Sequence, residues 1–392
     1  MKRRRSLKER AADFATAARQ HAAERAAAAV AVDRLLRDTP RVDWPALAGH
    51  PDLSTWGALD RIAKIFNETL TRDPLHALAI AELAVSAAEG LSPHAYPPII
   101  TAQLVGHAWK DLGKAYRALN RHEEAVRAFT QAESVVIKQD MLAHDLAIIR
   151  FNLAVTLQEI DRYDESLAIL TECKEVFWGH ADSRLLVFTG IAEGVLLQRL
   201  RRYREAREIY LLLLASTKPI DQESVAALHQ AIGYCSIELQ DFAEAGANLE
   251  QALFLYRNLG NVIDALKVEL GVGRLFIRSG DPELGIRHLR GVRREFLKKS
   301  VPEEAGICAL EIIEAMLSLG KASQAETLAR RVISEFTAAR LNTRAISALG
   351  YLAEAIAANT AQPALATDVR EYVVSLRTWP ERDFAPLQRA TE

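Results

Sequence analysis

Ten histidines, three cysteines and two pairs of adjacent glutamates are the side chains in this 392-residue sequence suited to acid–base, nucleophilic or metal chemistry. A helix binds zinc through histidines three or four positions apart, as in His-Glu-x-x-His. No two histidines here stand at that interval. Cys173, Cys235 and Cys308 lie 62 and 73 residues apart, which fits neither a disulfide framework nor a zinc cluster. They read as buried thiols in a reducing compartment. Glu123-Glu124 and Glu303-Glu304 fall in first turns of helices, where carboxylates complement the helix dipole rather than share a proton. Gly271-Val272-Gly273 opens like a dinucleotide loop, but no strand precedes it and no third glycine follows. Gly-x-x-x-x-Gly-Lys and Gly-x-Ser-x-Gly are both missing. The chain reads as a non-enzyme with no metal and no cofactor.

What organises the chain is a period. Asn120–Ala125 aligns with Asp161–Ser166, Arg201–Ala206, Gln240–Ala245, Gly280–Gly285 and Gly320–Ala325, at intervals of 41, 40, 39, 40 and 40 residues. Ahead of each turn a first helix carries Gly113, Ala154, Gly194, Gly233, Gly273 or Ile313 at one position. After it a second helix carries Ala125, Ser166, Ala206, Ala245, Gly285 or Ala325. Small residues at both points let two helix backbones approach closely. Large ones, such as Tyr116 and Phe129 in the first copy, fill the space around the crossing.

The first copy, Trp109-x-x-Leu112-Gly113-x-x-Tyr116 followed by Ala125, Phe129 and Ala132, resembles the tetratricopeptide repeat. The likeness covers residues 96–340 by motif. Later copies depart from it: Arg150, Gly190, His229, Glu269 and Ala309 stand where the motif opens with an aromatic residue, and Ile313 replaces the small residue. The period is about six residues longer than the usual 34, similar to the long-helix variant in bacterial peptide-sensing regulators, kinesin light chains and polarity adaptors. The whole-chain arrangement resembles that of many bacterial proteins with this repeat. The resemblance implies an all-α fold, a right-handed α-solenoid of antiparallel helix pairs.

It also implies a concave groove lined by the first helices, at repeat positions two, five, six, nine and twelve when Trp109 is counted as four. The first copy places Lys110, Asp111, Lys114 and Arg117 there, and the second Phe151 and Asn152. Gln230 and Tyr234 follow in the fourth copy, and Lys267 and Arg274 in the fifth. Such a groove starts basic, turns apolar with amides, and ends basic. It suits an extended or helical peptide with an apolar centre and acidic or carboxylate ends. Relatives that clamp a C-terminal carboxylate use Lys at position five and Asn at position six. Lys110 and Asn152 match, while Asp111 and Ala192 depart from that pattern.

Outside the repeats the chain is less regular. Residues 1–37 hold ten Lys/Arg against four Asp/Glu, a net of +6, so the remainder, 39 against 47, carries −8 of the overall −2. This segment reads as a basic, Ala-rich helical extension. Residues 38–95 read as an irregular linker, with Pro45, Gly49 and Pro51, followed by a degenerate leading helix pair. Ser54 or Thr55 caps the first helix of that pair, and Asp73-Pro74 opens the second. Residues 341–392 read as a capping helix pair and a tail. The longest apolar run, Ala26 to Val32, is far below the ~20 residues needed to span a membrane, and charges interrupt any leader-like segment. The protein reads as cytoplasmic.

The favoured function is a scaffold or adaptor that binds a peptide or protein segment in the groove. One alternative is a peptide-responsive sensor. Another is a nucleic-acid-associated factor acting through the basic extension, which lacks the aromatic residues that stack on bases. The extension's charge, opposite to that of the body, also leaves open docking on the body itself or on another copy in a homo-oligomer.

Overall fold

Residues 23, 25–47, 49–92, 94, 96–215, 221–376 and 382–385 are described by the structure, a computed structural model. Most of the basic extension, residues 1–22, lies outside the described residues. Among these residues every regular element is helical and none is a strand. The chain divides into two compact units, Met1–Asp182 and Ser183–Glu392.

The first unit contains α1 (residues 25–38), a 3-10 turn at Arg41–Leu47, α2 (Trp56–Thr69), α3 (Pro74–Glu89), α4 (Pro98–Ala118), α5 (His122–Val136), α6 (Ala143–Glu159) and α7 (Tyr163–Gly179). The second contains α8 (Ser183–Arg199), α9 (Tyr203–Leu214), α10 (Gln222–Glu238), α11 (Phe242–Asn258), α12 (Val262–Arg278), α13 (Pro282–Lys298), α14 (Pro302–Ser318), α15 (Ala322–Ala338), α16 (Thr343–Ala357) and α17 (Pro363–Ser375). Through α16, successive helices within each unit pack pairwise, the arrangement of a tetratricopeptide-like α-solenoid.

The small-and-large rule sets the helix crossings. A Cβ on Gly113 would lie 2.7 Å from the Phe129 ring, and one on Gly194 2.4 Å from Tyr210. Gly233 meets Leu249 and Gly273 meets Leu289 in the same way. The sixth copy, with Ile313 at this position, moves its close approach to Gly306, which faces Phe336 of α15. Capping follows the short polar residues: Thr55 accepts from the Ala58 amide, and Asp73, Asp221 and Asp281 accept likewise at α3, α10 and α13.

Two boundaries differ from the sequence reading. The segment 1–37 lies against the body over its described part, one of the placements its charge leaves open. Val32 is fully buried, Arg25 pairs with Asp60 of α2 at 2.6 Å, and Arg61 donates to Asp33 at 2.8 Å. An alanine-rich helix without bulky knobs can lie close against α2, where Ala28 meets Gly57. The first difference is in the linker: 38–53, read as irregular, holds a 3-10 turn that buries Trp44, whose Nε1 donates to the Thr39 carbonyl.

The second difference concerns the C-terminal end. Helices α16 and α17 were read as a capping pair, but α17 packs chiefly on α14 and only lightly on α16. A buried ion-pair cluster draws it there, with Arg370 of α17 reaching Glu311 and Glu314 of α14 at 2.8 Å each. Residues 382–385 then fold back on this end. Phe384 packs edge-on against Tyr351 and at a tilt against Tyr372, and Tyr372 donates its hydroxyl to the Arg382 carbonyl.

Candidate peptide-binding groove

In the first unit, α4 and α6 carry the basic end of the proposed groove. Lys110 and Lys114 lie one turn apart on α4, with Asp111 between them. Both ammonium groups face the same Asp111 oxygen, at 3.7 and 3.4 Å, and Asp111 is itself buried. Burial pushes the Lys114 ammonium pKa down, with Asp111 opposing and Lys110 reinforcing the shift. Arg117 turns away to α6, where its Nη1 donates to the Asn152 carbonyl and its Nη2 to Asn152 Oδ1, both at 3.2 Å. Its guanidinium also lies 5.9 Å from the centre of the Phe129 ring. Asn152 donates to the Ile148 carbonyl, so its amide is engaged on both sides. Phe151, half-buried, sits beside it. Counting Lys110, Lys114 and Arg117 against Asp111, this face keeps two net positive charges.

In the second unit the same register gives a different surface. Phe188 and Val195, at groove positions two and nine of α8, are 36% and 37% exposed. On α10, Gln230 donates to the Tyr234 hydroxyl at 3.1 Å, and that hydroxyl donates to the Lys267 carbonyl of α12 at 2.7 Å. Gly271 makes room for the Tyr234 ring, since a Cβ there would meet it at 2.3 Å, and this explains the Gly271-Val272-Gly273 pattern by packing. The Lys267 ammonium pairs with Asp264 at 2.9 Å. Arg274 lies over the Tyr234 ring and donates to Glu311 of α14.

Glu311 is the residue the sequence reading missed. It stands at position six of the sixth copy, equivalent to Asp111 in the first, and the groove positions had been followed only through the fifth. Burial pushes its carboxyl pKa up, but the guanidinium groups of Arg274 and Arg370 outweigh this and hold it below the ordinary value. The groove face of α14 is therefore occupied by α17, whereas Phe188 and Val195 on α8 stay partly exposed among the described residues.

The histidines serve as ties between neighbouring elements. His107 Nε2 meets Asp145 at 2.6 Å and His144 Nε2 meets Asp182 at 3.0 Å, each pair 38 residues apart. The hydrogen bond from His107 is the main cause holding the Asp145 carboxyl pKa low. All three cysteines are buried and unpaired, with Cys173 and Cys308 thiols donating to the Ala147 and Leu289 carbonyls. Among the described residues no group of three or more His, Cys, Asp or Glu is placed to hold a metal. No helix there is long and apolar enough to cross a membrane.

Comparison with known proteins agrees with this architecture. Residues 108–136, from α4 into α5, match the family model described as tetratricopeptide repeat. No curated protein matches the chain in sequence. Among solved structures, aspartyl phosphate phosphatase F from Bacillus subtilis is similar with a TM-score of 0.56 at 12% identity, over 71% of this chain and 70% of that one. The apo form of the quorum sensor NprR from B. thuringiensis gives 0.52 at 13%, over 81% and 99%. A Rap conjugation gene regulator of the plasmid pLS20, in complex with the Phr* peptide, gives 0.50 at 12%, over 72% and 74%. At these identities the likeness is one of fold. The fold is a tetratricopeptide-like helical repeat, and residues 108–136 carry one recognisable copy of that repeat.

Proposed function

We propose that this protein is a non-catalytic scaffold that binds an extended peptide or protein segment along the faces of its first helices. The observation that carries the reading is α8. Phe188 and Val195 present apolar surface to solvent at positions two and nine, two turns apart, where the same positions of α12, Lys267 and Arg274, are polar and engaged. Apolar side chains in a row with polar neighbours mark a recognition surface more often than a solvated one. In the first unit Lys110 and Lys114 would receive an acidic or terminal carboxylate and Phe151 would offer apolar contact; within the second, Gln230 and Tyr234 would meet the backbone of a segment bound there. Arg117, Asn152, Lys267 and Arg274 would act through the hydrogen bonds and ion pairs that hold this surface. The structural likeness to a regulator solved with a bound peptide and to a quorum sensor supports a peptide as the ligand class.

The test is fluorescence anisotropy with labelled peptides that have an apolar centre and acidic or free-carboxylate ends. Phe188→Asp should weaken binding about tenfold or more. Lys110→Glu with Lys114→Glu should weaken it mainly through association rate and salt sensitivity, because rim charges steer encounter. Unchanged affinity in both folded variants would remove these faces from the site.

A second reading, a peptide-responsive regulator, is favoured by the seating of α17 on the groove face of α14. A ligand that competes for Glu311 would release that helix. The nucleic-acid reading has less support, because Arg25, within the basic segment, is committed to Asp60.

A further inference from the structure

A second charged site lies away from the groove positions, in a cleft of about 650 Å³ between α13 and α15. Arg287, Arg290 and Arg294 recur along one face of α13 at three- and four-residue spacing, and Arg331 faces them from α15. All four are exposed. Nearby carboxylates are already committed: Glu283 to Lys321 at 2.7 Å, Glu295 to Lys298 at 2.6 Å, Glu326 to Arg330 at 2.8 Å, and Glu335 to Arg293. Among the described residues these four guanidinium groups have no ion-pair partner. Arg293, only 7% exposed, lines the same cleft with a buried Nε that meets no acceptor. A buried donor left open is uncommon enough to point to a missing partner.

The chemistry of the cleft narrows the ligand. Arginine forks hold carboxylates through two parallel hydrogen bonds, which favours oxyanions over simple negative potential. Ile312, Met316 and Leu328 add apolar surface between the arginines. No aromatic side chain lines the cleft among the described residues, so the stacking that single-stranded nucleic acids use is not available there. Paired oxyanion forks around an apolar strip match a short acidic peptide with an apolar residue between its carboxylates.

We propose that the α13–α15 cleft docks an acidic peptide segment of a partner protein. The site is independent of the groove residues, so the scaffold would engage two partners at once.

Anisotropy with a fluorescein-labelled octapeptide of glutamates around a central leucine tests this. The expected result is saturable binding that weakens at least tenfold in Arg290→Glu with Arg294→Glu, and that falls steeply with added salt. Both positions are exposed, and circular dichroism confirms that the variant folds. Arg330→Glu, at a guanidinium committed to Glu326, and the Lys110→Glu, Lys114→Glu variant should each bind as wild type. No binding, or an equal loss in Arg330→Glu, overturns the site. Tighter binding of a single-stranded oligonucleotide of equal charge overturns the peptide assignment, as does unchanged affinity when glutamine replaces the central leucine. Loss of groove-peptide binding with this binding intact would strike only the groove.

Discussion

Arg370 of α17 lies 2.8 Å from Glu311 of α14, joining two helices 59 positions apart along the chain. Glu311 also accepts from Arg274 of α12, so one buried carboxylate fastens three helices. Removing one partner from a buried charge cluster costs more than the cluster contributes, because the remaining charges stay desolvated and unpaired.

Glu311→Ala should therefore lower the stability of the second unit by about 3–5 kcal/mol and loosen α17. Limited trypsin digestion reads this directly, with cleavage after Arg370 faster in the variant. Equal cleavage rates and an unchanged melting point would show that α17 is held by its apolar face alone.

Glycines at the helix crossings and glycines facing open space should respond with opposite signs. Gly194→Ala puts a Cβ within 2.4 Å of the Tyr210 ring, and the overlap outweighs the gain of up to about 1 kcal/mol in helix propensity. Gly291→Ala on α13 meets nothing within 4 Å and should stabilise by about 0.5–1 kcal/mol. Urea midpoints that move in the same direction for both would count against the crossing geometry.

The pair of His288 and Glu269, 3.1 Å apart, predicts a pH window. The bond to Glu269 raises the His288 pKa above 6.5, and that same bond is the main cause lowering the Glu269 pKa below 4.5. A raised folded-state value means that the histidine's contribution is complete below about 6.5 and is lost as pH rises through the shifted value. The carboxylate's contribution is complete above about 4.5 and is lost as pH falls through its own shifted value. Stability from this pair should peak between those limits. His288→Asn should flatten the decline above neutral pH, and an unchanged profile in that variant would assign the slope to other groups.

Thiol reactivity should report the fold. Burial pushes the Cys173 thiol up to about 12 and Cys235 up to about 11, and it raises Cys308 further. The thiolate is the reactive form. A disulfide reagent at about pH 8 should label the native protein slowly and the urea-unfolded protein at the rate of free cysteine. Fast labelling of the native chain would contradict the burial of all three.

Much of the fold was legible in the sequence because the packing rule is local. Gly113 and Phe129, or Gly194 and Tyr210, lie 16 residues apart, and each pair repeats at the period of the turn. The seating of α17 was not legible. An amphipathic helix shows that one face must be covered, yet it does not name the neighbour, and Arg370 meets a carboxylate on the first helix of the preceding repeat. The groove was legible as a register rather than as a set of free side chains. Arg117 finds Asn152 and Arg274 finds Glu311 only when successive first helices come side by side. The α13–α15 cleft was hidden for a similar reason, since Arg287, Arg290 and Arg294 read as a solvated face until folding brings Arg331 opposite them.

The turns between helices hold a reserve for engineering. Gly260, Gly280 and Gly320 adopt positive φ at the ends of α11, α12 and α14, and the equivalent places hold Asn120, Asp161, Ala181, Arg201, Gln240, Ser300, Arg340 and Asn359. In each, the next amide donates back to a carbonyl five residues earlier, as Asp281 does to Phe276 and Arg202 to Leu197. The left-handed conformation costs an ordinary L-residue roughly 1–2 kcal/mol. The chain therefore carries a distributed strain at sites such as Ala181, Arg201, Ser300 and Arg340, where the side chain contributes little to the crossing. Glycine at these four hinges would release that strain without touching a groove position, giving a heat-tolerant version of the same binding surface.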